Sequence, residues 1–570
     1  MRREHRWVRA VAAAAALFLG AGCAQIPSEG IPQAAPAATV SAGAEPQDSS
    51  VRVFAEGPRD GDSVYQIVAG FLAASGTAEE GYRKAADFLT EGRAARWYPG
   101  ARITVYDHNE GRIRDVGENR LEFTAPAVGT VDDQGVFAAA EPGTEVVAAF
   151  HLVKSSGRWR IDDLPPGLYM SFQDFQREYV SVNTYFYNRR PDSPVLVPDP
   201  MFLPKRGELT TSLASALLRG PSRWLVSAVS TAIPRTAALS DQVQVSSGVA
   251  TVPLRSGSMP DGGVERENML GQLVMTLTEV PGVTAVEVTS GGEAVTLKDK
   301  ARLTREDVDL FLPADLRPPR PNSYFLRDGV AYTAGSPPQQ GPFEASVKLA
   351  ELAAAPGGAV VAGISKDRKT LWTAPSNAPD SPEVRLEGEN LRSATFDQEG
   401  RLWVLDGTAA ATVLRRVPAT GDAVTVTPRG FLASQVTRLR VAADGVRLAM
   451  VLDTIYGSRV YLAAVTETGS DLVVGSLRRL GYGLINPRDI AWAGPIRVVV
   501  LAAEPSVQPQ PYLVRVDNYS TAAEEPLVDI VSVTAAAGEP LLAATSKKQL
   551  WRLGATWRNV GPGSAPTYPG

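Results

Sequence analysis

SATFDQEGRLWVLDG, Ser393 to Gly407, is the stretch that decides the fold. An apolar strand enters a polar turn, Asp397-Gln-Glu-Gly400, and a second apolar strand leaves it. The turn residues suit a tight hairpin, because Gly and Asp tolerate the backbone angles it needs. The same design returns in TRLRVAADGVRLAMVLD, RDIAWAGPIRVVVLA and VSVTAAAGEPLLAATSKKQLW, and upstream in VVAGISKDRKTLWTA. From Ala394 to Leu439 to Ile490 to Ser532 the spacings are 45, 51 and 42 residues. A propeller blade repeats every ~40–50 residues. The expectation is a C-terminal β-propeller over 320–570 with five or six blades, Tyr324–Thr333 supplying an edge strand that closes the ring. A β-sandwich with accidental spacing is the competing reading. Trp372, Trp403 and Trp551 each follow a leucine, which argues packing rather than an aromatic sugar-binding wall.

Outward from the repeat, the chain has 570 residues, too many for one ordinary core, and two to four domains are expected. Gly and Pro number 51 and 43, so the chain turns often, which favours β-rich structure. The formal net charge is −5. A mildly acidic chain without a Lys/Arg-rich run does not draw nucleic acid through its phosphates.

The N-terminus carries Arg2, Arg3, Arg6 and Arg9, then a short apolar run from Val11 to Leu19. Small residues Gly20, Ala21 and Gly22 precede Cys23, the only cysteine of the chain. This reads as a secretory signal over 1–22, too short for a membrane span. A lone thiol has no intrachain disulfide partner. After such a run its best use is attachment of a diacylglycerol; the alternative is an ordinary signal peptide cut nearby, leaving a free thiol. The usual lipid-attachment pattern has an aliphatic residue three before the cysteine, where this chain has Gly20. Residues 23–50 are rich in Ala, Pro and Ser and read as a flexible tether spanning about 30 Å.

Residues 51–175 give helices first, then strands. VYQIVAGFLAAS places Val64, Ile67, Val68, Phe71 and Leu72 on one helical face, with Asp62 or Ser63 as its cap. EEGYRKAADFLTEGRAARW reads as a second helix. The strands ITVYDH, RLEFTAPAVGTVD, GVFAAA and a hairpin around Ser155–Gly157 complete an α+β cone of the NTF2-like type. His108 and His151 are acid–base candidates if this cone is an enzyme; ordinary surface or sheet histidines are the simpler reading. Trp97 and Trp159 read as core.

Residues 180–305 read as a small α/β domain. YFYN and LVPD open it; LTTSLASALLRGP is a helix ending at Gly220–Pro221. ENMLGQLVMTLTEV is a second helix, with Met269 and Met275 as core packing. No histidine or cysteine lies here, which excludes thiolate and His metal sites. No metal site, catalytic group or cofactor is expected.

Assembled, the chain resembles the LpqB family of actinobacterial lipoproteins along nearly its whole length. CAQIPSEGIP, RAARWYPG, GRWRIDDLPPGL, YFYN with LVPD, LLRGPS with AIP, and MLGQLVMTLTEVPGV carry the resemblance. It implies the order lipid signal, NTF2-like domain, GerMN domain, propeller, with Cys23 as the lipidation site. It further implies a non-enzymatic lipoprotein, anchored at the outer face of the cell membrane. That protein would associate with the extracellular domain of an MtrB-type sensor histidine kinase of a two-component system, affecting cell-wall and division processes. The alternatives are an envelope ligand-binding protein, its small-molecule or wall-fragment ligand unidentified, or an enzyme acting on wall sugars or peptides.

Overall fold

The computed structural model describes residues 56–570, apart from 79–80, 191–193, 206, 313–321, 336, 379–380, 409–410, 469–470 and 519. The expected signal segment, Cys23 and the tether lie outside the described residues. What is described belongs to one compact unit, Phe54–Gly570.

The first helix, Val64–Ser75, starts where local chemistry dictates. Ser63 is its cap: the Gln66 amide donates to Ser63 Oγ at 3.4 Å, and the Ser63 amide to Gln66 Oε1 at 2.8 Å. Its expected face is buried at Ile67, Val68, Phe71 and Leu72 against Leu121, Phe123, Phe150 and Leu152 of an antiparallel sheet. One extra residue shapes that sheet. Val105 lies opposite Gly129 but Tyr106 opposite Ala127, so Val128 has no partner. Leu121, Phe123 and Ala125 join the core under the helix, whereas Val128 and Val131 join a second core with Phe137, Phe175 and Phe202. A one-residue slip moves every following side chain to the opposite face.

The expected second helix is broken. Its ends form short turns, Arg83–Ala86 and Glu91–Ala94. Between them the Ile161 amide donates to the Phe88 carbonyl and the Thr90 amide to the Ile161 carbonyl, both at 2.9 Å. Sheet pairing here overrides helix propensity, and Thr90 caps the second turn. The hairpin at Ser155–Gly157 forms as read; Ser156 and Gly157 have φ of 50° and 79°, which matches strand twist.

The second region opens with a long hairpin, Tyr179–Asn188 against Leu196–Pro204. Helix Leu209–Arg219 buries Leu213, Ala216 and Leu217 and stops at Gly220, φ 99°. Val249–Leu254 pairs in parallel with Ala285–Ser290. Parallel neighbours need a crossover, and helix Gly263–Leu277 supplies it. Met269 and Met275 are buried in its core.

Among the described residues the C-terminal region forms six four-stranded blades, the third and fourth joined at their outer strands. The innermost strands of blades two to six are Leu349–Ala354, Arg392–Phe396, Val436–Val441, Ile485–Trp492 and Ile530–Thr534. Tyr324–Thr333 supplies two strands of the first blade rather than one edge. That blade's innermost strand is Ser564–Thr567 from the C-terminus, paired with Tyr324–Arg327. The ring is thus shut by joining the two ends of the region.

Four of the recognised copies are the first hairpin of blades three to six. VVAGISKDRKTLWTA is instead the second hairpin of blade two. Both hairpins of a blade alternate in the same way, so the sequence pattern does not separate them. For the same reason Trp372 and Trp551 lie on third strands, and Trp403 on a second. Trp403 is fully buried and donates to Asp397 Oδ2 at 3.0 Å.

Candidate functional site

The matched sequence stretches meet in space, and what they build is architecture. Arg93 and Trp97 of RAARWYPG reach the DDLPPGL loop: Arg93 donates to the Leu164 carbonyl, and Trp97 Nε1 to the Gly167 carbonyl at 3.1 Å. Trp97 also lies edge-on to Phe71, 5.7 Å between ring centres. Asp199 of LVPD is buried and accepts from the amide and hydroxyl of Ser222 in LLRGPS, at 2.7 and 2.8 Å. Burial pushes the Asp199 carboxyl up from its ordinary range, and the two Ser222 donors work against that. Gln272, in the helix after MLG, accepts from the Ala232 amide of AIP at 2.8 Å and donates to the Tyr185 carbonyl of YFYN at 2.7 Å. These residues satisfy buried backbone groups that would otherwise be costly.

The histidines are not brought together with a nucleophile. His108 is exposed in the turn His108–Glu110. His151 lies on strand Glu145–Ser155, opposite Arg120 and Asp163. Neither ring makes a hydrogen bond among the described residues. Trp159 packs at the sheet core with the Lys154 ammonium 5.3 Å from its ring centre. Among the described residues, no group of three His, Cys, Asp or Glu is placed to hold a metal ion, and no helix is long and apolar enough to cross a membrane.

The propeller channel is the structured interior. Its six inner strands have free edges, and each is held by the neighbouring blade. Ser393 N donates to Glu351 Oε2 (2.7 Å), Leu439 N to Ser393 Oγ (2.7 Å), and Trp492 Nε1 to the Arg440 carbonyl (3.1 Å). Val533 N donates to Asp489 Oδ2 (3.0 Å), Tyr568 N to Thr534 Oγ1 (3.2 Å), and Gly570 N to the Ala354 carbonyl (3.2 Å). The circuit passes through all six blades.

At the mouth formed by the first-hairpin turns, a small cavity of about 50 Å³ lies among alanines of the inner strands, Arg440, Arg447, the C-terminal Tyr568–Gly570 and Leu196 of the second domain. Arg447 is wholly buried. It donates to Asp444 Oδ2 through Nε at 2.7 Å and to the Pro495 carbonyl through Nη2 at 2.6 Å, and sits 5.2 Å from the Trp492 ring centre. Sequence reasoning missed this pair. Its signal was present: Asp397 with Arg401 in one blade and Asp444 with Arg447 in the next occupy the same turn.

The second domain docks on that mouth. Its core is continuous with blades four and five, through Val446, Ala449, Leu462 and Val500. Arg190 pairs with Glu399 at 2.8 Å and with Glu467, which Arg416 also holds at 3.0 Å. Those cations keep the Glu467 carboxyl below its ordinary value, the Arg416 hydrogen bond contributing most. Arg478 of the fourth blade donates to the Phe137 carbonyl of the first domain at 2.8 Å and lies 4.8 Å from the Trp224 ring centre of the second. Trp224 Nε1 in turn donates to the Ser476 carbonyl at 2.6 Å. All three domains therefore meet at the fourth blade.

Three domains meeting at one blade, with a propeller whose inner polar groups hold its own ring, define a multidomain scaffold of mainly β class. Comparison with known proteins gives its kinship. Family models match in order: the Lipoprotein LpqB N-terminal domain over 57–176, a sporulation and spore germination (Germane) domain over 183–296, and the Lipoprotein LpqB beta-propeller domain over 330–569. The chain is 30% identical to Lipoprotein LpqB of Streptomyces coelicolor, over 100% of this chain and 98% of that one. It is 28% identical to Lipoprotein LpqB of Thermobifida fusca over 100% of both chains. For Lipoprotein LpqB of Mycobacterium bovis (strain BCG / Pasteur 1173P2) the figure is 26%, over 97% and 98%. The chain belongs to the LpqB lipoprotein family, as the motif stretches indicated.

Proposed function

We propose that this chain is a non-enzymatic lipoprotein, anchored through Cys23 at the outer face of the cell membrane. There it associates with the extracellular domain of an MtrB-type sensor histidine kinase and tunes its phosphorelay, and through that wall and division homeostasis. The observation that carries the envelope part is kinship over the whole chain with proteins named as lipoproteins, together with Cys23 behind an apolar run and small residues. The kinase part extends the family resemblance. An anchor confines the scaffold to a thin layer beside its partner, so a weak contact suffices at high effective concentration. Domains joined at one blade would present a continuous surface to that partner.

The test is crosslinking in the native envelope followed by mass spectrometry of what is joined to the chain. A sensor kinase among the products is the expected result, with its yield falling when Cys23→Ala releases the protein from the membrane fraction. Recovery of wall polymer alone would sink the kinase reading. Membrane retention of the Cys23→Ala protein would sink the anchor.

A further inference from the structure

The two mouths of the propeller channel differ. One is covered by the second domain. At the other, side chains of blades two to five bring guanidinium groups together. Arg368 lies in the second-hairpin turn of blade two, Arg392 opens the inner strand of blade three, and Arg438 and Arg440 stand on the inner strand of blade four. Arg440 also lines the cavity beneath the second domain, so it stands within the channel between the two mouths. They form one connected patch. Arg440 Nη1 lies 3.3 Å from Ser393 Oγ; the Ser393 amide donates to Glu351; Glu351 Oε1 accepts from Arg368 Nη1 at 2.7 Å.

The acids at this mouth are already engaged. Glu351 is taken by Arg368 and by the Ser393 amide. Asp489 is buried, and its oxygens accept from the Val533 and Ile490 amides at 3.0 and 3.1 Å. It stands 3.7 Å from Arg438 Nε and 3.9 Å from Arg440 Nη2, too far for hydrogen bonds. Arg392 binds only neutral acceptors: the Asn390 and Gly407 carbonyls and Thr412 Oγ1. Asp406, which also acts on Arg392, is held by Arg415 at 3.3 Å and by the Glu389 amide at 2.9 Å. Counting these groups among the described residues, five guanidiniums meet three carboxylates, an excess of two positive charges. Burial lowers the Arg392 pKa; Glu351 and Asp406 work against that, while Arg368 and Arg438 push the same way as burial, which places these cations close together. The Arg438 and Arg440 side chains keep 43% and 28% exposure, so a ligand can reach them.

We propose that this open mouth is an oxyanion-binding site, which takes a carboxylate or phosphate group of a small envelope ligand between Arg438, Arg440 and Arg392. Guanidinium forks match both groups with paired, charge-assisted hydrogen bonds. The low-dielectric walls of the ring focus the positive potential at its axis. An anion here would relieve the crowding of like charges and bridge blades three and four. The site does not depend on a kinase partner.

The test is calorimetric titration of the full-length protein in detergent with inorganic phosphate and, separately, with succinate. Saturable binding of at least one is expected, weakened about tenfold or more by Arg438→Gln with Arg440→Gln, which is ~1.4 kcal/mol. Lys547→Gln, in an exposed turn of the sixth blade, should leave it unchanged. The preferred probe separates a phosphate source from a carboxylate source. A second arm needs no variant: the bound probe should shield Arg392, Arg438 and Arg440 of the wild-type protein from an arginine-directed dicarbonyl, read by mass spectrometry. Absence of saturable binding of both probes up to about 10 mM, binding that survives the double substitution in a folded protein, or unaltered modification of these arginines would overturn the proposal.

Discussion

Arg447 Nη2 lies 2.6 Å from the Pro495 carbonyl, joining the second strand of the fourth blade to the first turn of the fifth. The same guanidinium holds Asp444, which also accepts from the Val446 amide at 2.9 Å. One buried ion pair thus organises a turn, a blade boundary and the floor under the second domain.

Breaking that pair leaves the buried Asp444 carboxylate with backbone amides but no counter-charge. Arg447→Ala is expected to destabilise the protein by about 3–5 kcal/mol. Asp444→Asn combined with Arg447→Met should cost less than Arg447→Ala alone, because no orphan charge remains. Urea midpoints of the three proteins check this; equal losses would mean that packing, not charge, dominates.

Acid should loosen the docking of the second domain. Arg416 and its neighbours hold the Glu467 carboxyl below its ordinary 4.5. A depressed folded value means that its contribution is complete above about pH 4.5 and is lost as pH falls through the lower folded value. The urea midpoint of the wild-type protein should drop more steeply below about pH 4.5 than that of Glu467→Gln, which lacks this titration. Parallel profiles would remove Glu467 from the account.

Removal of residues 564–570 should open the ring. It deletes the innermost strand of the first blade and the Gly570–Ala354 and Tyr568–Thr534 links. An unpaired strand edge at Tyr324–Arg327 is then exposed, and such edges aggregate. The expected outcome is a lowered thermal midpoint and oligomers in size-exclusion chromatography. A monomer with an unchanged midpoint would contradict closure by the C-terminal strand.

Gly167 is required by its backbone. Its φ is +89°, and an added Cβ would lie 2.2 Å from the Arg102 carbonyl oxygen. The Leu168 amide beside it donates to that same carbonyl at 2.8 Å, starting the parallel pairing of Leu168–Ser171 with Ile103–Tyr106. Gly167→Ala should cost at least about 1–3 kcal/mol from the backbone angle alone, with the methyl clash in addition. Hydrogen exchange at Leu168–Ser171 should rise. Unchanged protection there would show that the loop can relax.

The sequence by itself determined the local patterns. Strand alternation around Asp397–Gly400 and Ala443–Gly445, the 3.6-residue stripe from Val64 to Leu72 and the Met269–Leu277 face needed only the periodicity of apolar residues. The motif stretches established kinship, and their pairing into LVPD with LLRGPS, or RAARWYPG with DDLPPGL, waited on the fold. The tertiary structure alone decided what depends on distant partners. Phe88–Thr90 left a helical pattern because Ile161, more than seventy residues away, offered sheet bonds. VVAGISKDRKTLWTA fell out of phase because both hairpins of a blade look alike in one dimension. Ring closure joined Tyr324 to Thr567, a pairing that no local propensity encodes. The arginines of the channel mouth are ordinary strand and turn residues in sequence. Only the ring gathers them, because charge acts through space rather than along the chain.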